Sequence, residues 1–151
     1  MECGVQSAIL ILESVFLYTH LYLFSLKTTP FSSIFKQCRT IGGYLVKIED
    51  VSEHNWVVQN IKGGNIGSTW IGASDAGKQD WRWTFDLSKV TYSLFNPGQP
   101  DNGGNVEGCL ELRSVFGYKW NDIPCSSTNS YVCESQQGVS CQPYSKLLVK
   151  R

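Results

Sequence analysis

Residues Gln99–Asp122 read QPDNGGNVEGCLELRSVFGYKWND. Gln99 and Asp101 flank Pro100. Glu107 follows in a Gly/Asn-rich loop, two residues before Cys109. Asn121 and Asp122 close the stretch directly after Trp120. These are five oxygen-bearing side chains on two short segments, with a cysteine between them. Hard cations such as calcium take roughly six to eight oxygens from carboxylates, amides and carbonyls. Gln99, Asp101, Glu107, Asn121 and Asp122 can supply most of such a shell. Their spacing does not fit the helix–loop–helix calcium loop, so the site must be assembled by tertiary structure.

The surrounding segments define the fold class. Upstream, residues 84–108 are turn-rich, with Pro97 and Pro100 and no periodicity. A structureless loop of about 20 residues is uncommon unless it is functional, and this one leads into the candidate site. Cys109–Leu112 alternates as a strand, and Tyr118–Trp120 and Tyr131–Cys133 read as two more. Ser68–Gly72, Trp81–Trp83, Tyr44–Ile48 and Tyr22–Phe24 complete the strand set. Two helices come early. In the first, Phe31, Ile34, Phe35 and Cys38 make one apolar stripe. Thr28 or Thr29 is its expected cap, Pro30 its first residue and Gly42-Gly43 its stop. In the second, Asp50 and Glu53 resemble a capping box, Trp56, Val57 and Ile61 form the apolar face, and Gly63-Gly64 end it. Two helices followed by short strands make an α+β domain.

Composition removes several function classes. The chain has 151 residues, with 13 basic and 13 acidic side chains. That length predicts one domain with a full core. With a pI near 6.7, the neutral balance argues against nucleic acid and against a polybasic membrane contact. His20 and His54 have no Ser or Cys nucleophile motif nearby, so an enzyme is not expected. Gly103-Gly104 does not lead into a Lys-Ser/Thr helix start, so a phosphate loop is not supported. There is no Asn-x-Ser/Thr sequon. Trp70, Trp83 and Trp120 read as core, His54 as exposed in the first turn of its helix, and Lys146, Lys150 and Arg151 as a solvated tail.

The six cysteines, at positions 3, 38, 109, 125, 133 and 141, contain no CxxC pair. Secreted disulfides are therefore expected rather than zinc or redox chemistry. Residues 1–21 read as an atypical signal-like or unstructured N-terminus. They are apolar, but Glu13 and His20 interrupt them, and neither a basic start nor an Ala-x-Ala site is present. A membrane span would need about 20 predominantly apolar residues, so a membrane anchor is not expected. The domain is assigned to residues 22–135 and a C-terminal tail to 136–151.

Taken in order, these residues resemble the C-type lectin-like domain family. The carrying features are Cys38 with Gly42-Gly43 and the strand after it, Trp70-Ile71-Gly72, Gln99-Pro100-Asp101, Trp120-Asn121-Asp122, and Cys133-Glu134. The wording at 70–75 and 97–113 is similar to the perlucin-like branch of that family, secreted proteins of molluscan shell and haemolymph. The resemblance implies a C-type lectin-like fold: two helices and short antiparallel sheets with a long calcium-binding loop region. It implies disulfides Cys38–Cys133 and Cys109–Cys125. Cys3 and Cys141 are left over, to pair together, to link chains into a homo-oligomer, or to be separated by cleavage.

The resemblance further implies a Ca2+ ion held by Gln99, Asp101, Glu107, Asn121 and Asp122. Gln99, Asp101, Glu107 and Asn121 would also bind the sugar hydroxyls. Gln-Pro-Asp is the galactose-type order, and Pro100 is expected to be cis. Two departures bear on this. Asn102-Gly103-Gly104 stands where strong galactose binders carry a Trp, which implies weak, permissive binding. An auxiliary calcium site would draw on Asp75, Gln79, Asn102 and Glu107, but Gln79 and Asn102 stand where acids are usual. The expected function is calcium-dependent carbohydrate binding by a secreted, extracellular lectin, in innate immune recognition or a shell matrix. The alternatives are a matrix protein contacting calcium carbonate mineral, and a calcium-independent protein-interaction domain.

Overall fold

The computed structural model describes residues 8–9, 20–75, 80–136 and 148–150. Strands β1 (Ala8–Ile9) and β2 (His20–Pro30) lead into helix α1 (Phe31–Arg39). Then come β3 (Tyr44–Leu45), helix α2 (Val51–Gly63), β4 (Thr69–Ser74) and β5 (Arg82–Trp83). The second half holds β6 (Cys109–Arg113), β7 (Lys119–Ile123), β8 (Thr128–Gln136) and β9 (Leu148–Lys150). One sheet runs in the order β1-β2-β8-β4-β6-β7, with β3 on β8, β5 on β4 and β9 on β2. All pairings are antiparallel except β4 with β8. Two helices beside a mostly antiparallel sheet are the α+β class that the residue pattern predicts. No described helix is long and apolar enough to cross a membrane.

Several boundaries differ from the sequence reading, each for a tertiary reason. The first strand extends through Pro30 because its far end pairs with Thr128 and Asn129 of β8. Thr28 and Thr29 therefore belong to β2 and do not cap α1. Pro30 itself is the N-cap residue, without a side-chain bond, and the Phe31 N–H donates instead to the Cys125 carbonyl at 3.2 Å. At α2, Asp50 does cap the Glu53 N–H at 2.8 Å. The Glu53 carboxylate also reaches beyond its own helix. It accepts from the Glu49 N–H at 2.9 Å and from the Tyr22 hydroxyl at 2.6 Å, tying the helix start to β2. The strand expected at 44–48 shortens to β3, although Val46 still donates to Val132 at 2.9 Å and accepts from Gly72 at 2.8 Å. Close approach there requires glycine: a Cβ on Gly72 would lie 2.6 Å from the Leu45 carbonyl oxygen.

The core has two parts. One collects Trp83, Trp120, Leu110, Leu112, Ile61 and Ile71 beneath α2. The other surrounds Trp70 with Phe31, Ile34, Cys38 and Cys133, and the Trp70 indole donates to the Thr29 carbonyl at 2.9 Å. Each fully buried large side chain stabilises the fold by roughly 1.5–3 kcal/mol. Cys38 is bonded to Cys133 and Cys109 to Cys125, with Cα separations of 5.3 and 5.2 Å. Cys3, Cys141, Gln79 and most of the expected signal-like segment lie outside the described residues.

Strand β8 carries a buried acid. Glu134, 2% exposed, accepts from the Lys47 N–H at 3.0 Å and contacts His20 Nδ1. Burial first, then the nearby Glu53 charge, push its carboxyl up to about 8, against the lowering effect of the Lys47 and Tyr44 hydrogen bonds.

Candidate functional site

The β6–β7 hairpin is the platform. Its register sets Leu112 opposite Trp120, Glu111 opposite Asn121 and Leu110 opposite Asp122. The sequence reading stopped this strand at Trp120; it continues to Ile123, so Asn121 and Asp122 stand on a strand rather than on a loop. Trp120 is fully buried and packs edge-on against Trp83, Tyr92 and Phe95. The long loop is laced to that same residue. Trp120 N–H donates to Leu94 at 2.9 Å, and Asn96 N–H donates to Trp120 at 3.0 Å. These bonds bring residues 99–101 back beside Asp122.

Side chains then lock the loop. The Asp122 carboxylate accepts from the Asp101 N–H at 3.1 Å and the Asn102 N–H at 2.7 Å. Glu107 accepts from the Gly103 N–H at 2.8 Å, and its own N–H donates to Asn102 Oδ1 at 3.1 Å. Between them Asn102, Gly104 and Asn105 take positive φ of 48°, 63° and 59°. Asn and Gly are the residues that tolerate this conformation, which explains the NGGN composition. The Gln99–Pro100 bond is cis.

Carboxylate oxygens of Asp101, Glu107 and Asp122 lie within 4.8 Å of one another. None of the described ion pairs gives them a cation. Desolvation raises the Glu107 pKa, and the Asp122 and Asp101 charges add to it, against the Gly103 N–H. Two residues before Asp101, the Gln99 Oε1 is buried with no hydrogen-bond partner, which costs about 1–3 kcal/mol for a neutral polar group. Three crowded carboxylates are a donor set suited to a hard divalent cation, and the nearby cis Gln99–Pro100 segment carries an unpaired amide oxygen that could join it. Asn121 is buried and donates its Nδ2 to Glu111 at 3.0 Å, so no described hydrogen bond takes its Oδ1. Asp75 is buried at the end of β4, its N–H on the Gly108 carbonyl at 3.2 Å. It is not one of the three clustered carboxylates, Asn102 Oδ1 accepts from the Glu107 N–H, and Gln79 lies outside the described residues.

Two supporting residues escaped the sequence reading. Glu111 is 1% exposed. It accepts from Asn121 at 3.0 Å, from Asn129 Nδ2 at 2.8 Å and from Arg113 Nη1 at 2.9 Å. It read only as the polar member of an alternating strand, because register decides which residue stands opposite it. By holding the Asn121 amide nitrogen it leaves the carbonyl oxygen outside that bond. Glu111→Gln is expected to weaken calcium binding about 10- to 100-fold, the usual cost of losing a ligand's hydrogen-bond partner. Isothermal titration of the apo protein reads this directly, and an unchanged affinity would show that Asn121 is oriented by other means.

His54 is the second, and a correction. It is 4% exposed, and its Nδ1 accepts from the Trp120 indole at 3.2 Å. Helix α2 lies across the core, so the first turn that reads as solvent-facing is covered. Burial lowers the His54 pKa below 6.5. The folded state therefore holds the neutral ring, and stability present above pH 6.5 is lost as pH falls and the unfolded chain takes up the proton. Melting temperatures of the calcium-free protein from pH 8 to 5 should fall less steeply in His54→Gln than in the parent; equal slopes would exclude this coupling.

Comparisons with known proteins bear on the family and the fold. The profile described as "Lectin C-type domain" matches residues 27–135. A perlucin-like protein of Mytilus galloprovincialis is 41% identical over 119 residues, covering 76% of each chain. Perlucin of Haliotis laevigata is 33% identical over 119 residues, covering 77% of this chain and 76% of its own. Among solved structures, the C-type lectin CEL-I from Cucumaria echinata superposes with a TM-score of 0.70 at 29% identity, covering 77% of this chain and 89% of its own. With the profile spanning most of the domain and relatives above 30% identity, this chain belongs to the C-type lectin domain family, and its relatives include the perlucins.

Proposed function

We propose that this protein is a secreted, calcium-dependent carbohydrate-binding lectin of the galactose type, with modest affinity. The observation that carries the reading is the cluster of carboxylates of Asp101, Glu107 and Asp122 within 4.8 Å of one another, with the buried, unpartnered Gln99 Oε1 two residues before Asp101 in the chain. Gln99, Asp101, Glu107, Asn121 and Asp122 would hold the ion, which supplies coordination positions for two adjacent sugar hydroxyls. Around it the protein's own groups set sugar choice. Gln99 offers an amide donor and Asp101 an acceptor, with Glu107 and Asn121 completing the ring of partners. That donor–acceptor order underlies the galactose assignment. Asn102-Gly103-Gly104 gives no aromatic platform for the apolar sugar face, which keeps affinity low. The test is retention of the refolded protein on immobilised galactose with calcium and release by a chelator. Retention indifferent to chelator would sink the mechanism, and retention on mannose alone would sink the specificity.

A second reading draws on the same cluster. Three carboxylates without a paired cation, Asp101 among them exposed to solvent, also suit contact with calcium at a carbonate surface. Asp101→Ala with Asn121→Ala should abolish sugar retention. Mineral binding that survives this double change would place any matrix activity on another surface.

A further inference from the structure

A cleft of about 690 Å³ adjoins the carboxylate cluster, lined by Asn102, Asn105, Val106, Glu107, Gly108, Pro124, Cys125 and Ser126. Its volume is within the roughly 300–1,000 Å³ typical of small-molecule sites. It shares Asn102 and Glu107 with the site above and runs from them toward the Cys109–Cys125 disulfide. Its walls are of two kinds. Val106, 64% exposed, and Pro124 offer apolar surface. Asn105 and Ser126 are exposed and offer an amide and a hydroxyl that no described hydrogen bond uses. Alternating apolar and neutral hydrogen-bonding surface matches a sugar ring, which presents C–H faces and hydroxyl edges. No Lys, Arg or His lines the cleft, so nothing there compensates a carboxylate or sulfate on the ligand.

We propose that this cleft is a second saccharide subsite, which receives the next residue of a neutral glycan whose terminal sugar sits at the calcium cluster. The inference rests on the galactose-type reading and deepens it: the preferred ligand is a neutral, galactose-terminated oligosaccharide rather than the free monosaccharide. Affinity withheld by the missing aromatic after Asp101 is regained by contacts to the penultimate sugar.

The experiment compares methyl galactoside with a neutral galactose-terminated trisaccharide by calorimetry in calcium. The trisaccharide should bind about fivefold or more tightly, the worth of one or two net hydrogen bonds. Asn105→Gly preserves the positive φ of that residue while removing its amide, and Ser126→Ala removes the hydroxyl. The pair should reduce the gain to within about twofold and leave methyl galactoside binding unchanged. Sulfation of the penultimate sugar should remove the gain. Equal affinity for the two ligands, or variants that weaken both equally, would overturn the cleft assignment alone. Failure of both ligands to bind in calcium would overturn the galactose reading and this inference with it.

Discussion

Asp122→Asn is expected to remove calcium binding, and sugar retention with it, while the apo fold survives. Asp122 has two tasks. Its carboxylate joins the three-acid cluster, and its two oxygens hold the backbone N–H groups of Asp101 and Asn102. Asparagine keeps one acceptor oxygen and the side-chain volume but removes one charge from the three-acid cluster. A loss of 100-fold or more in calcium affinity is expected, about 2.7 kcal/mol. In the apo protein two effects oppose. One N–H bond is lost, and the repulsion that raises the Glu107 pKa is relieved. The net change in apo stability should stay within about 1 kcal/mol.

Thermal unfolding separates the two states. Calcium at a hundredfold excess over Kd stabilises the binding form by about 2.7 kcal/mol. For a domain of this size that is a rise of roughly 5–10 °C in the parent protein. Asp122→Asn should show no rise. A variant that still responds to calcium would remove Asp122 from the ligand set.

The second large effect is expected from the Cys38–Cys133 disulfide. It spans 95 residues of sequence, and cross-linking a loop of that length restricts the unfolded chain by about 4–5 kcal/mol in the chain-entropy model. Both sulfurs are fully buried beside Trp70 and Ile34, so a double alanine variant also leaves a void. Against a total stability of about 5–15 kcal/mol, Cys38→Ala with Cys133→Ala should lower the melting temperature by roughly 10–20 °C or leave the domain unfolded at 37 °C. The Cys109–Cys125 pair spans 16 residues and should cost less globally, about 3 kcal/mol. Its loss should instead show in calcium affinity, because Cys109 follows Glu107 closely and Cys125 follows Asp122. Urea denaturation of the two double variants checks the order; a larger loss at Cys109–Cys125 would contradict the loop-length account.

Much of this architecture was legible because its signals are local. The Phe31, Ile34 and Cys38 stripe needs only helical period, and these three residues are buried on α1. The Asp50 cap on Glu53 needs only a spacing of three. Asn-Gly-Gly-Asn marks a loop with positive φ wherever it occurs. Other features were not legible because the partner is distant in sequence. Thr28 and Thr29 have the chemistry of caps, yet both lie in β2, where Thr29 pairs with Asn129 of β8. Glu53 has the spacing of a capping box, yet Tyr22 and Glu49 take its carboxylate. His54 has an exposed neighbourhood in sequence, and only the docking of α2 over Trp120 buries it.

The sequence by itself therefore determined which atoms are available: the oxygen-bearing side chains of Gln99, Asp101, Glu107, Asn121 and Asp122, a loop able to bend through positive φ, and cysteines on either side of Asp122. Composition and short-range periodicity carry that information because they depend on residue type and on neighbours within a few positions. Only the tertiary structure decided which of those atoms meet. It brought Asp101, Glu107 and Asp122 together, left Gln99 Oε1 without a partner, set Glu111 behind Asn121, and opened the cleft between residues 102–108 and 124–126. The physical reason is strand register. A one-residue slip of β6 on β7 would turn Asn121 away from Glu111 and Asp122 away from the loop. That register is set by packing around Trp120 and by the loop bonds to its backbone, not by any residue within the motif alone.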